Sequence, residues 1–166
     1  MKRISDSASP KPFSVSPTGF GAVCPGGSAQ LTVVATGVPA LSYQWRLNNV
    51  DLIEGTTDGT QYDGVQSNSL FISNAHAQAA GDYTVHIVNS FGDATSNPVS
   101  LAYCASDFNC DGLVDDADFS IFVVAYNDLL CPDAPALCPC DLNGDGLVDD
   151  SDFSIFIVAY DELICA

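Results

Sequence analysis

The sequence predicts a β-sandwich followed by a small α domain built from two loop-and-helix repeats. Three observations carry that reading. Between residues 13 and 104, six short runs place apolar side chains at every second position, with turn residues between them. After residue 105 a twenty-residue stretch occurs twice: DFNCDGLVDDAD followed by FSIFVVAY from Asp107 to Tyr126, and DLNGDGLVDDSD followed by FSIFIVAY from Asp141 to Tyr160, an offset of 141 − 107 = 34 residues. The charge divides at the same place: all four basic residues (Lys2, Arg3, Lys11 and Arg46) precede residue 105, whereas 14 of the 21 acids follow it.

Residues 1–12 are rich in Ser, Pro and Lys and are expected to form a flexible N-terminal arm. The sandwich is expected over 13–104. Its strands are FSVSP, AQLTVVAT, LSYQWRL, NSLFIS, DYTVHIV and NPVSLAY, each rich in Val, Tyr, Phe or Ile. The inward set reads as Leu31, Val33 and Ala35, then Tyr43, Trp45 and Leu47, then Leu70 and Ile72, then Tyr83, Val85 and Ile87. Ala102 to Ser106 is the boundary, and its shortness implies a fixed junction. The α domain is expected over 105–166.

Within the β region, G-x-x-A-x-L-x-V from Gly26, Y-x-W-x-L-N-N from Tyr43 and A-G-D-Y-T-V-x-I-x-N-x-x-G from Ala80 resemble an immunoglobulin-like domain of the intermediate set. The resemblance implies that Tyr83 forms the tyrosine corner of that fold. It also implies a cysteine pair in the core, where this sequence has Val33 and Val85 instead. An apolar pair fills the same space without the crosslink, so the two valines are expected to face each other across Trp45.

In each twelve-residue acidic loop, oxygen-bearing side chains stand at positions 1, 3, 5, 9 and 12, with Gly at position 6. That is calcium-loop spacing. The first loop offers Asp107, Asn109, Asp111, Asp115 and Asp118, with the Leu113 carbonyl at position 7. The second offers Asp141, Asn143, Asp145, Asp149 and Asp152, with the Leu147 carbonyl. Calcium takes six to eight hard oxygens, and a loop wraps an ion only if it turns sharply at its middle, where Gly112 and Gly146 permit the turn. Two ions would cancel four of the charges that otherwise repel one another along this segment.

Tandem D-x-N-x-D-G-x-x-x-x-x-D loops, each ending in Asp, each followed by a helix and lacking an entering helix, resemble the type I dockerin, an EF-hand-like module. The likeness covers about the last third of the chain. It implies a calcium-folded module that docks on a partner, a cohesin in the best-known systems. It further implies recognition through loop positions 10 and 11, here Asp116, Ala117, Asp150 and Ser151, together with basic residues on the helix. No Lys or Arg follows Arg46, so a cohesin-like receptor bound by the usual polar chemistry is not expected; an apolar contact or a basic partner fits better.

Seven cysteines in 166 residues point to disulfides and a secreted or cell-surface location. Cys24 with Cys104 is one feasible bridge at a sandwich pole. Cys104 with Cys165 and Cys131 with Cys138 form the rival scheme, related by the 34-residue repeat, and an odd count leaves one thiol over. A zinc site at Cys138-Pro139-Cys140 lacks a second close pair. Met1-Lys2-Arg3 is followed by no apolar run, and none of transmembrane length occurs, so the chain is expected to be a mature form or part of a larger secreted protein that does not insert in membranes. The net charge of −17 repels nucleic acid. The carboxylates stand at ligand spacing and His76 and His86 are isolated, so no enzyme is expected.

The helices carry more apolar residues than so small a module can bury. Phe119, Phe122, Val123, Tyr126, Leu129 and Leu130 form one stripe, expected to be the core. Ile121, Val124, Ile155 and Val158 fall outside it and are expected to meet a partner or another copy of the chain. Two functions follow: extracellular protein-protein attachment through the dockerin-like module, or a self-assembling structural subunit of a fibre or surface layer.

Overall fold

The computed structural model describes residues 11–18, 21–38, 40–128, 138–143 and 145–162. Eleven strands come first: β1 (Lys11–Thr18), β2 (Ala22–Val23), β3 (Ala29–Thr36), β4 (Ser42–Leu47), β5 (Val50–Asp51), β6 (Gly55–Thr57), β7 (Thr60–Asp63), β8 (Ser69–Ser73), β9 (Gly81–Asn89), β10 (Gly92–Thr95) and β11 (Val99–Tyr103). Helices α1 (Asp116–Asp128) and α2 (Asp150–Glu162) follow. One sheet runs β1-β3-β8-β7-β6 and the other β2-β11-β9-β4-β5, with β10 paired to β9. Every pairing is antiparallel except that of β2 with β11.

The six strands expected from sequence are β1, β3, β4, β8, β9 and β11. The other five are two to four residues long, too short to display a period of two. The first strand begins at Lys11, inside the stretch read as a free arm, because it finds a backbone partner in β3. Residues 1–10 lie outside the described residues.

The core contains the side chains that alternation assigns to it. Leu31, Val33, Trp45, Leu70, Ile72, Tyr83, Val85 and Ile87 are fully buried, and Ala35, Tyr43 and Leu47 pack partly buried against them. Trp45 lies directly opposite Val85 in the β4–β9 register, while Val33 is buried from the other sheet. The valines therefore occupy the inter-sheet space, each burial contributing about 1.5–3 kcal/mol. The Trp45 indole N–H is satisfied by the Ser67 carbonyl at 3.0 Å. Asn48 and Asn49, at φ 50° and 68°, make the two-residue hairpin turn between β4 and β5, a conformation Asn tolerates better than most residues.

A second core lies beyond β11. Val114, Phe122, Val148 and Phe156 are fully buried there, with Cys104 and Cys140. It is narrower than the sequence stripe. Phe119 and Val123, expected inside, are each 37% exposed, because two thirteen-residue helices cover only the side chains on the line where they meet. Leu129 and Leu130 lie outside the described residues.

The Tyr83 hydroxyl donates to the Ala79 carbonyl at 2.7 Å, closing the corner before β9, and burial pushes the phenol well above its ordinary range. Tyr83→Phe leaves a buried carbonyl without that donor. It should lower unfolding stability in urea by about 1–3 kcal/mol with an unchanged m-value.

Candidate metal centre

Both acidic loops fold by the same hydrogen bonds. At position 1, the two Asp107 oxygens accept the Asp111 and Gly112 amides at 3.2 and 2.9 Å, and Asp141 accepts those of Asp145 and Gly146 at 3.1 and 2.8 Å. Asn109 Oδ1 accepts the Asp111 amide and Asp111 Oδ1 accepts that of Leu113; Asn143 and Asp145 repeat both bonds. Gly112 and Gly146, at φ 91° and 92°, make the turn that wraps the loop around its own amides.

Positions 9 and 12 also start the helices. Asp115 caps α1 by accepting the Ala117 amide, while Asp118 reaches back to the Asp115 amide at 3.0 Å. This reciprocal arrangement is a capping box made of two aspartates. The other Asp118 oxygen takes the Phe108 and Asn109 amides, so one carboxylate joins the beginning of the loop to its end. Asp149 and Asp152 do the same for α2.

Asp118 and Asp152 are fully buried and Asp107 is 3% exposed. Burial pushes the Asp107 carboxyl above the usual carboxylate range; the Gly112 amide pulls it down, the nearby Asp118 raises it further, and the amides of Asp111 and Cys110 oppose that. No Lys or Arg follows Arg46, and the ion pairs among the described residues, Arg46–Asp51 and His86–Asp93, lie in the sandwich. Among the described residues, the hydrogen-bond donors to the buried carboxylates of the first loop are therefore backbone amides. All side-chain donors are hard oxygens, the set a divalent cation such as calcium accepts. Turned as they are onto the loop amides, no three His, Cys, Asp or Glu side chains among the described residues stand in metal-holding geometry.

The loops also clasp one another. The Tyr126 hydroxyl donates to Asp150 and the Tyr160 hydroxyl to Asp116, each at 2.5 Å, and the carboxylates raise both phenols. The two position-10 aspartates are thus bound inside the module. Sequence reasoning missed this exchange, and it missed Val114 and Val148; an apolar residue at position 8 of both loops was the available signal. It left the partner of Cys24 open, with Cys104 as one feasible choice. The partner is Cys110, at position 4 of the first loop, with Cα atoms 5.4 Å apart, and not Cys104. Cys104 continues β11 past β2, its amide donating to the Val23 carbonyl at 2.8 Å, which brings the loop and not the strand end to Cys24. Cys104 and Cys138 are disulfide-bonded too. Their expected partners, Cys165 and Cys131, lie outside the described residues.

The fold defines an immunoglobulin-like sandwich joined to a tandem acidic loop-and-helix unit. Residues 15–100, just over half of the chain, match the Immunoglobulin I-set domain, and the chain belongs to that family. It is 32% identical over 65 residues to Contactin-1a of Danio rerio, covering 39% of this chain and 6% of that protein. It is 33% identical over 82 residues to Protein sidekick-1 of Gallus gallus, covering 49% of this chain and 4% of that protein. The chain thus spans a few per cent of the length of these relatives. Similar solved structures include the tandem Ig repeats of Dlar (TM-score 0.48, 20% identity, 58% of this chain and 49% of that one) and extracellular domains 3-5 of Drosophila OTK (TM-score 0.48, 28% identity, 57% and 31%). Among the described residues no helix is long and apolar enough to cross a membrane.

Cys140, the free cysteine among the described residues, is 4% exposed in the second core, and burial pushes its thiol up to about 11. Iodoacetamide should leave it unmodified in the folded protein and alkylate it readily in guanidinium, as read by peptide mass spectrometry. Rapid labelling of the folded chain would mean that the second core is open.

Proposed function

We propose that the chain is a non-catalytic extracellular protein in which an I-set sandwich carries a dockerin-like module that folds around two calcium ions and attaches the chain to another protein. The observation that carries the calcium reading is the set of buried carboxylates in loops without a basic side chain. Asp107, Asn109, Asp111, Asp115 and Asp118 with the Leu113 carbonyl would hold one ion. Asp141, Asn143, Asp145, Asp149 and Asp152 with the Leu147 carbonyl would hold the other. When bound, calcium supplies the positive charge that the loops lack. The disulfides support an oxidising, extracellular setting.

Attachment follows from what the helices leave uncovered. Val124 and Val158 are 65% and 61% exposed, and Ile121 and Ile155 are exposed beside them. The position-10 aspartates are engaged by tyrosines, and no basic helix residue exists, so the polar chemistry of a cohesin complex has few groups to work with. An apolar contact suits these faces. The second reading, a self-assembling subunit of a fibre or surface layer, draws on the same residues: two similar patches on one chain build open assemblies more readily than closed pairs.

Removing calcium with EDTA should abolish most of the helical circular dichroism while the Trp45 environment in the sandwich stays native. Helix content indifferent to chelation would sink the calcium reading. Asp141→Ala should loosen the second repeat even in calcium. Replacing Val124 and Val158 with Lys separates the two modes: loss of calcium-dependent light scattering at constant helix content supports self-assembly, whereas a chain that is monomeric before and after supports attachment to a different protein.

A further inference from the structure

The two loops are nearly identical in sequence yet differently anchored. The first is tied to the sandwich twice within a few residues. The Cys104 amide donates to the Val23 carbonyl, and the next residue of that segment, Cys24, is bonded to Cys110 at position 4 of the loop. Position 4 of the second loop is Gly144, which has no side chain to tie down. Cys110 stands at φ 63°, a left-handed conformation unfavourable for a residue with a Cβ, and carries the bridge there. The bridge is itself closely seated: a Cβ on Gly27 would lie 2.4 Å from Cys24 Sγ. Asp107, Cys110 and Gly112 of the loop line a cleft of about 280 Å³ with Ala22, Val23 and Cys24. Asp107 is 3% exposed there, whereas its counterpart Asp141 is only half-buried.

We propose that the Cys24–Cys110 disulfide makes the sandwich a scaffold for the first calcium loop, so that the first loop binds calcium at least about tenfold more tightly than the second, and that this advantage is lost when the bridge is opened. The inference rests on the calcium reading above. Its physical basis is preorganisation: a loop already held in its wrapped conformation surrenders less backbone freedom on meeting the ion. A ligand already stripped of water by the sandwich also has less hydration to lose. The second loop makes the same hydrogen bonds but, with glycine at position 4, has no covalent tie to hold them, so it gives up more backbone freedom on binding the ion.

Coupling of this kind is reciprocal. Opening the bridge takes two electrons and two protons and yields the Cys24 and Cys110 thiols, while dithiothreitol supplies both and closes to its cyclic disulfide. If the bridge strengthens calcium binding tenfold, calcium must make the bridge tenfold harder to reduce, about 30 mV for a two-electron couple.

The test is calorimetric titration of the full oxidised chain with calcium chloride. Two unequal sites are expected, the tighter lost in Asp107→Ala and the weaker in Asp141→Ala. Cys24→Ser with Cys110→Gly, which gives the first loop the glycine of the second, should weaken the tight site about tenfold and leave the weak one alone, with Trp45 fluorescence confirming an intact sandwich. Equal affinities before and after opening the bridge overturn the proposal and leave the calcium reading standing; absence of binding at both loops overturns both. The wild-type chain provides a check that needs no variant: its reduction midpoint in dithiothreitol buffers, followed at Cys24 and Cys110 by differential alkylation and peptide mass spectrometry, should shift by about 30 mV in calcium. No shift overturns the coupling.

Discussion

A carboxylate taken out of water must be met by positive charge or by hydrogen-bond donors. After residue 105 this chain has no Lys, Arg or His, yet it buries Asp107, Asp118 and Asp152. The form of the C-terminal module follows from that shortage. Each loop curls so that its own amides face its acids. The glycine at position 6 makes the curl possible, and the position-12 aspartate fastens loop entry, loop exit and helix start with a single side chain. The carboxylates proposed to hold an ion thus also shape the loop and cap the helix.

The sandwich answers a different constraint. Its sheets are joined by packing, with Val33 and Val85 in the space between them and Trp45 against the second valine. A disulfide at that place would restrict the unfolded chain; two valines act only through burial and fit, which makes the fold depend on the inward register of every long strand. The covalent link has moved to the pole of the sandwich, where it serves the junction.

That junction makes two modules into one unit. The last strand passes directly into the first loop, its neighbour β2 receives the chain at Cys104, and Cys24 receives the loop at Cys110. Beyond this anchored end, the helices meet along a narrow aromatic line and exchange tyrosine-to-aspartate bonds, so their remaining faces turn outward. Ile121, Val124, Ile155 and Val158 are among the apolar side chains on those faces.

By itself the sequence determined whatever depends on spacing along the chain: the six longer strands, the inward valines, the tyrosine corner, the repeated loops and the helices after them. Those features are local or periodic, and a period of 2 or an aspartate at position 12 can be read without knowing what lies across the gap. Only the tertiary structure decided which cysteine meets Cys24, how little of each helix two short helices cover, that Tyr126 and Tyr160 reach into the opposite loop, and which of two matched aspartates the sandwich buries. Each of these depends on where residues far apart in sequence come to rest, and in the two near-identical loops the one mark of the different anchoring, Cys110 against Gly144, does not say which cysteine it meets.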